Sequence, residues 1–285
     1  MNRVRAGSGI RFPYFGVSTV ARDVLRVSPS KRRMKEIVTA EIIVSADSGV
    51  GDVRIDRRAK KNAITTAMYA SMADALEGFD RDDTIRAVMI RGGSDFTAGN
   101  DLRDLVDASD SGDTSALDAI VDFLTHLCDF SKPLVAAVRG NAVGIGTTML
   151  VHADVVVAGT SARFRLPFAR LGLVPEAGSS LLLPLIVGRT RAAWMLLAGE
   201  FFTSEEAYAA GLVTKVVDDE QVDEVAAAIA ANLARLPPLA LRETKRLMRE
   251  AVARDVRGQM DAEISSFSER LKSGEFRDAV TKALS

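Results

Sequence analysis

The strongest constraint on this chain is a rhythm. From residue 34 onward, short β-branched runs end in glycine or polar turns: EIVTAEIIVSA, GDVRID, IRAVMIRGG, KPLVAAVRGN, ADVVVAGT, ARFRLP and GLVTKVV. Runs of this kind are strand signals. Helical patterns lie between them. TTAMYASMADALEGF (65–79) places Met68, Met72, Leu76 and Phe79 at three- and four-residue steps, and TSALDAIVDFLTHLCDF (114–130) does the same with Leu117, Ile120, Leu124 and Leu127. Such spacing gathers the apolar residues onto one helix face. Strands alternating with helices predict an α/β fold. Pairs of strands precede a helix, which suits a coiled spiral of ββα repeats better than a doubly wound sheet.

After Val217 the strand signals stop. Residues 219–235, 237–256 and 259–284 read as helices, with Pro237-Pro238 breaking the chain at the start of the second. The reading therefore divides the chain into a core over 34–218 and a helical region over 219–285. The apolar faces of that region need a surface, supplied by the core, a partner subunit or both. Residues 1–33 stand apart: they carry Arg3, Arg5, Arg11, Arg22, Arg26, Lys31, Arg32 and Arg33 against Asp23 alone. A basic arm, a transit peptide and sequence upstream of a true start near Met34 are the three readings, the last favoured.

Bulk properties exclude several classes. A net charge of −1 over 285 residues gives no drive toward nucleic acid or anionic membranes. One cysteine, Cys128, rules out an internal disulfide, and with only His126 and His152 a metal site is not expected. The longest apolar run, LLLPLIV at 181–187, falls far short of the roughly 20 residues that span a bilayer.

Two loops carry candidate chemistry. In FTAGNDLRDL (96–105), Gly99 permits a left-handed turn and Asp101 is a helix N-cap, which leaves the Asn100 N–H pointing outward at a helix start. In GNAVGIGTTML (140–150) a second glycine turn aims N–H groups around Ile145 at open space before a helix, TTMLVHA. Either turn alone mostly serves chain geometry; two together offer a pair of donors to one oxygen, the arrangement of an oxyanion hole. A third stretch, LGLVPEAGSS (171–180), sets Glu176 between an apolar segment and Ala177-Gly178. It reads as a solvated turn acid or as a buried catalytic one. His152 reads as structural. His126 and Cys128, two apart on a helix, face different sides and form no dyad. Trp194 and Met195 are expected to pack a helix against the core.

FTAGNDLRDL, PLVAAVRGNAVGIG, ADVVVAGTSARFRLPFARLGLVPEAGSS and FFTSEEAYAAGLVTKVV, in order from about residue 50 to 217, resemble the crotonase (enoyl-CoA hydratase/isomerase) superfamily. The resemblance implies a crotonase-like spiral of ββα repeats with a C-terminal helical region, acyl-CoA thioester ligands, homotrimers or dimers of trimers, and no metal or redox cofactor. Carried over, Asn100 and Ile145 supply the two oxyanion N–H groups. RRAKKNAI (57–64) looks like the CoA-contacting loop, where Lys60 or Lys61 would meet phosphates as point charges; a solvated basic turn is the competing reading for each lysine. By the same analogy Ala63, Ala98, Asp101 and Leu102 belong to the CoA site, and Thr148, Phe168 and Leu173 to the acyl pocket. The stretch 105–116, polar and expected to be mobile, is placed against that pocket.

Family hydratases use two glutamates, one four residues after the Gly144 position and one directly after the proline of FRLP. Here those positions are Thr148 and Phe168. Glu176 instead matches the single catalytic glutamate of Δ3-Δ2-enoyl-CoA isomerases, the peroxisomal type in particular. The expected function is thus an enoyl-CoA isomerase with Glu176 as general base and acid. The alternatives are another crotonase reaction, such as hydration, and an acyl-CoA-binding protein without turnover. The C-terminal ALS does not resemble a peroxisomal address, so a cytoplasmic location is expected, which a transit peptide at 1–33 would overturn.

Overall fold

The structure is a computed structural model that describes residues 37–39, 41–111 and 114–284. The basic stretch 1–33 lies outside them. The strand expected over EIVTAEIIVSA is two strands, β1 (Ile37–Thr39) and β2 (Ile42–Asp47), paired antiparallel with Val38 opposite Ile43. β2 turns into β3 (Val50–Ile55). The chain continues through α1 (Thr66–Arg81), β4 (Ala87–Arg91), α2 (Leu102–Ser111) and α3 (Ser115–Asp129). Then come β5 (Leu134–Val138), β6 (Asn141–Val143), α4 (Ile145–Thr148), β7 (Val155–Gly159) and β8 (Arg163–Arg165). α5 (Ser179–Val187), α6 (Arg189–Ala193), β9 (Phe201–Thr203), α7 (Ser204–Ala210) and β10 (Lys215–Val217) complete the strand-bearing part.

Seven strands form one sheet in the order β1-β2-β3-β4-β5-β7-β10, and β6, β8 and β9 form a second. From β3 to β10 the large sheet is parallel. Successive turns of the chain place a strand in the large sheet (β5, β7) and then one in the small sheet (β6, β8). That is the α/β spiral the paired strand signals imply. The strands alternate faces, as a period of two requires. Ala87, Met89, Val135, Ala137 and Val157 point to a small cluster with Val222, Ala226 and Ala230. Val88, Ile90, Leu134, Ala136, Val138, Val156 and Ala158 point to the main core with α1 and α3.

Among the described residues only helices follow β10: a 3₁₀ turn (Asp219–Gln221), α8 (Val222–Arg235), α9 (Pro238–Leu271) and α10 (Gly274–Leu284). Pro238 sits in the first turn of α9, where its missing N–H is no loss. The break expected near 257–258 is absent: Gly258 lies inside the 34-residue α9, and the chain breaks before Gly274 instead. A single glycine costs a helix about 1 kcal/mol, which the packing of Val256, Met260, Phe267 and Leu271 outweighs. Two other expectations change. Leu105–Ser111, expected as a mobile polar stretch, belongs to α2, with Leu105 buried and Val106 packed on the core. Trp194 does not pack inward. It opens a π-helical turn, Trp194–Ala198, that buries Met195 and leaves Trp194 65% exposed.

Candidate active site

The two glycine turns are held against each other. Thr97 N–H donates to Asn141 O and Val143 N–H to Thr97 O. Gly99 has φ +93°, and a Cβ there would lie 2.8 Å from Val143 O; one on Gly146 would lie 2.6 Å from Thr97 Cγ2. Only glycine lets the turns approach this closely. In the first turn, Gly99 N–H donates to Thr97 Oγ1 and Asp101 N–H to Ile64 O. The Asn100 N–H between them has no acceptor among the described residues. The Asn100 side chain is fixed separately, its Oδ1 accepting from the buried Tyr69 hydroxyl. In the second turn the helix begins at Ile145, two residues before the expected TTMLVHA, and passes into a 3₁₀ turn over Met149–His152. As first helical residue, Ile145 has an N–H with no intrahelical acceptor.

The turn that carries Glu176 is unusual. Ala177 and Gly178 are both left-handed, at φ 63° and 65°, which costs about 1–2 kcal/mol for the alanine. His152 Nε2 donates to Ala177 O at 2.7 Å. Burial pushes the His152 pKa down to about 4, so the ring is a neutral donor, structural as its sequence context suggests. Ser179 N–H and Oγ–H both donate to Glu176 O. Glu263, from α9, accepts from Gly178 N–H at 2.6 Å and from Ser180 N–H at 2.8 Å.

The Glu176 carboxyl is 4% exposed. Thr148 Oγ1 donates to its Oε1 at 2.5 Å. Its Oε2 has no partner among the described residues. Burial raises the pKa to about 8, with the Thr148 bond working against that rise and the Glu263 charge adding to it. A carboxyl so placed, with one oxygen anchored and the other bare, is suited to exchanging a proton.

A cavity of about 490 Å³ is lined by Ala98, Asn100, Leu102, Phe168 and Leu173, together with Gly144, Arg165 and, from α10, Ala279 and Ala283. Ile145, Thr148 and Glu176 do not line it, although Gly144 adjoins Ile145. Lys60 and Lys61 are exposed where a short 3₁₀ turn ends in a left-handed residue, Lys61. Their loop lies alongside the first glycine turn: Ala98 N–H donates to Lys61 O and Ile64 N–H to Gly99 O. Ala63 sits in that loop, half-buried and off the cavity wall, with its carbonyl accepting from Arg57. The Asp101 carboxylate is already committed, accepting from Arg57 at 2.7 Å and from Arg103 N–H at 3.0 Å. The second bond makes it the cap its position suggests.

Residues 45–283 match the Enoyl-CoA hydratase/isomerase family. The chain belongs to that family. It is 37% identical over 242 residues to Enoyl-CoA delta isomerase 2 of Rattus norvegicus, covering 84% of this chain and 62% of the relative, so it spans about three fifths of that protein's length. It is 36% identical over 213 residues to 2,3-dehydroadipyl-CoA hydratase of Escherichia coli (strain K12), covering 74% of this chain and 83% of that one. Among solved structures, an enoyl-CoA hydratase/isomerase from Pseudoalteromonas atlantica T6c superposes with a TM-score of 0.80 at 42% identity, covering 86% of this chain and 96% of that one. The crotonase fold is therefore shown, and family membership spans both double-bond isomerases and hydratases.

Three residues around the family site escape a reading of its motifs. Tyr69, beside Met68 and Met72 on α1, looks like core packing, yet its hydroxyl holds Asn100. Arg57 lies in the basic loop and ties Asp101 to Glu41. Glu263 falls between Met260 and Phe267, at three- and four-residue steps on a buried helix stripe. A carboxylate in an apolar stripe was the available signal.

Proposed function

We propose that this chain is an enoyl-CoA isomerase that moves a 3,4 double bond of an acyl-CoA to the 2,3 position, with Glu176 as the single proton carrier. The observation that carries the reading is the state of that carboxyl: buried, anchored through one oxygen by Thr148, bare at the other. The carboxylate takes a proton from C2, and the electron pair of the broken C–H bond delocalises into a dienolate. The protonated Glu176 then returns the proton at C4 and the electron pair settles between C2 and C3. No atom is gained or lost, so the step needs no metal or redox cofactor. The dienolate charge rests largely on the thioester oxygen, where the N–H groups of Asn100 and Ile145 would each lower the barrier by about 3 kcal/mol. Raised basicity brings the carboxylate closer to the carbon acid it must deprotonate. Lys60 and Lys61 would meet CoA phosphates. Ala63, Ala98 and Leu102 would border the rest of the carrier, and Phe168, Leu173 and Thr148 the acyl group.

Hydration through the family's usual pair of acids is disfavoured by Thr148 and Phe168, which cannot activate water near neutral pH. Similarity to a hydratase makes water addition the reading to test against. Wild type and Glu176→Gln are incubated with 3-enoyl-CoA and with 2-enoyl-CoA. The expected result is isomerisation by wild type, a loss of about 10²- to 10⁴-fold in the variant, and no 3-hydroxyacyl product. Undiminished turnover by Glu176→Gln rejects the role. Water addition moves the chain to the hydratases, and binding without conversion makes it an acyl-CoA carrier.

A further inference from the structure

α5 begins directly after the Glu176 turn with no cap of its own: the residue at its N-cap position, Gly178, has no side chain to offer. The missing acceptor comes from α9, 85 residues further along the chain. Glu263 is 5% exposed. Its Oε2 accepts from Gly178 N–H at 2.6 Å, and its Oε1 accepts from Ser180 N–H at 2.8 Å and from Ser180 Oγ at 2.5 Å. Gln259, one turn earlier on α9, donates to Ser180 Oγ at 2.8 Å. Three donors converge on one carboxylate, which favours its ionised form, while burial outweighs them and raises its pKa. The bonds fall on Gly178 and Ser180, the first and third residues after Ala177, and so hold the turn in which Ala177 and Gly178 are left-handed.

We propose that Glu263 is a positioning residue for Glu176: it clamps the left-handed turn so that the bare Glu176 oxygen stays aimed, and it sets a second carboxyl, from α9, against the Glu176 site. This rests on the isomerase reading for its catalytic consequence, though not for the geometry. The polar or ionisable groups facing Glu176 are Thr148 from α4, Tyr69 from α1 and Glu263 from α9. His152, which holds the adjacent carbonyl, is neutral above its pKa of about 4. Glu263 is thus the one carboxyl of this set that faces Glu176; burial raises its own pKa while its bonds to Ser180 and Gly178 oppose the rise, and in its ionised form it disfavours ionisation of Glu176.

Glu263→Gln tests this. Glutamine offers one acceptor oxygen where two are used and turns an NH₂ group toward a donor. With 3-enoyl-CoA, kcat is expected to fall about ten- to a hundredfold, with KM little changed. The acidic limb of kcat/KM is expected to move to lower pH, because the Glu263 charge that adds to the rise is gone while burial, the larger cause, remains. A merely structural cap would lower the melting temperature and leave the limb in place, and that result, or an unchanged kcat, overturns the proposal. Should Glu263→Gln fail to fold, Ser180→Ala carries the test: a lower kcat at constant KM supports the clamp and an unaltered kcat refutes it. Carboxyl ¹³C titration of Glu176 in full-length wild type and Glu263→Gln needs no turnover. A midpoint that drops in the variant upholds the coupling even if the chain isomerises nothing, and one that stays put rejects it even if the isomerase reading holds.

Discussion

At the scale of the residue, Glu176 links protonation to folding. Its folded pKa of about 8 lies above its ordinary 4.5, chiefly through burial. The folded chain therefore binds more protons than the unfolded one between those values. The neutral form's stability is present in full below 4.5, declines as pH rises and is lost as pH passes about 8. Glu176→Gln cannot ionise. The variant should melt close to wild type at pH 4.5 and progressively above it toward pH 9, where the gap reaches on the order of a few kcal/mol. Parallel melting curves across that range would mean that the site is wetter than its geometry indicates. Glu176 could be singled out as a candidate because its stretch resembles the family's isomerases and because Thr148 and Phe168 stand where family hydratases carry their two glutamates. The sequence did not reveal the side chains that come near it from distant helices. Glu263 and Tyr69 reach the site from helices whose own sequence context says only that one face is buried.

At the scale of the element, two glycine turns form one rigid unit. Gly99 is constrained twice, by φ +93° and by a carbonyl 2.8 Å from where a Cβ would stand. Gly99→Ala must therefore move Val143, and with it the turn that carries Ile145. The expected cost is about 1–3 kcal/mol of stability and, if the Asn100 and Ile145 N–H groups serve one thioester oxygen as proposed, a fall in kcat beyond what unfolding explains. Thermal melting and kcat measured on the folded fraction separate the two; a variant that is only less stable would leave the two turns without a shared task. Both turns could be read from sequence because glycine marks positions that sterics forbid to other residues. Element boundaries in the helical region could not be read as well. Gly258 resembles a stop signal, yet the packing of α9 carries the helix through it, and Trp194 looks like a core residue until a π-helical turn faces it outward.

At the scale of the whole molecule, the helical region closes the site as well as following it. α9 holds the core at several separated places. Arg249 donates to Cys128 O, Phe130 O and His152 O, Lys245 donates to Lys132 O and Asp154, and Glu263 accepts from Gly178 N–H in the turn after Glu176. α10 then folds back with Phe276 fully buried and lays Ala279 and Ala283 along the cavity beside Phe168 and Leu173. Small residues on that wall leave room, and the length of acyl chain accepted should follow from it. Ala279→Phe adds a bulky ring to a cavity of about 490 Å³ whose lining does not include Glu176 or Ile145. If this cavity receives the acyl group, KM for long-chain 3-enoyl-CoA should rise about tenfold or more, since each excluded methylene forfeits about 0.8 kcal/mol of burial. Short-chain substrates and the pH profile should be little affected, because the proton-transfer geometry is untouched. A KM that rises equally for every chain length would instead assign the cavity to the CoA carrier, which all substrates share, and would leave the acyl group to be housed on the far side of the glycine turns.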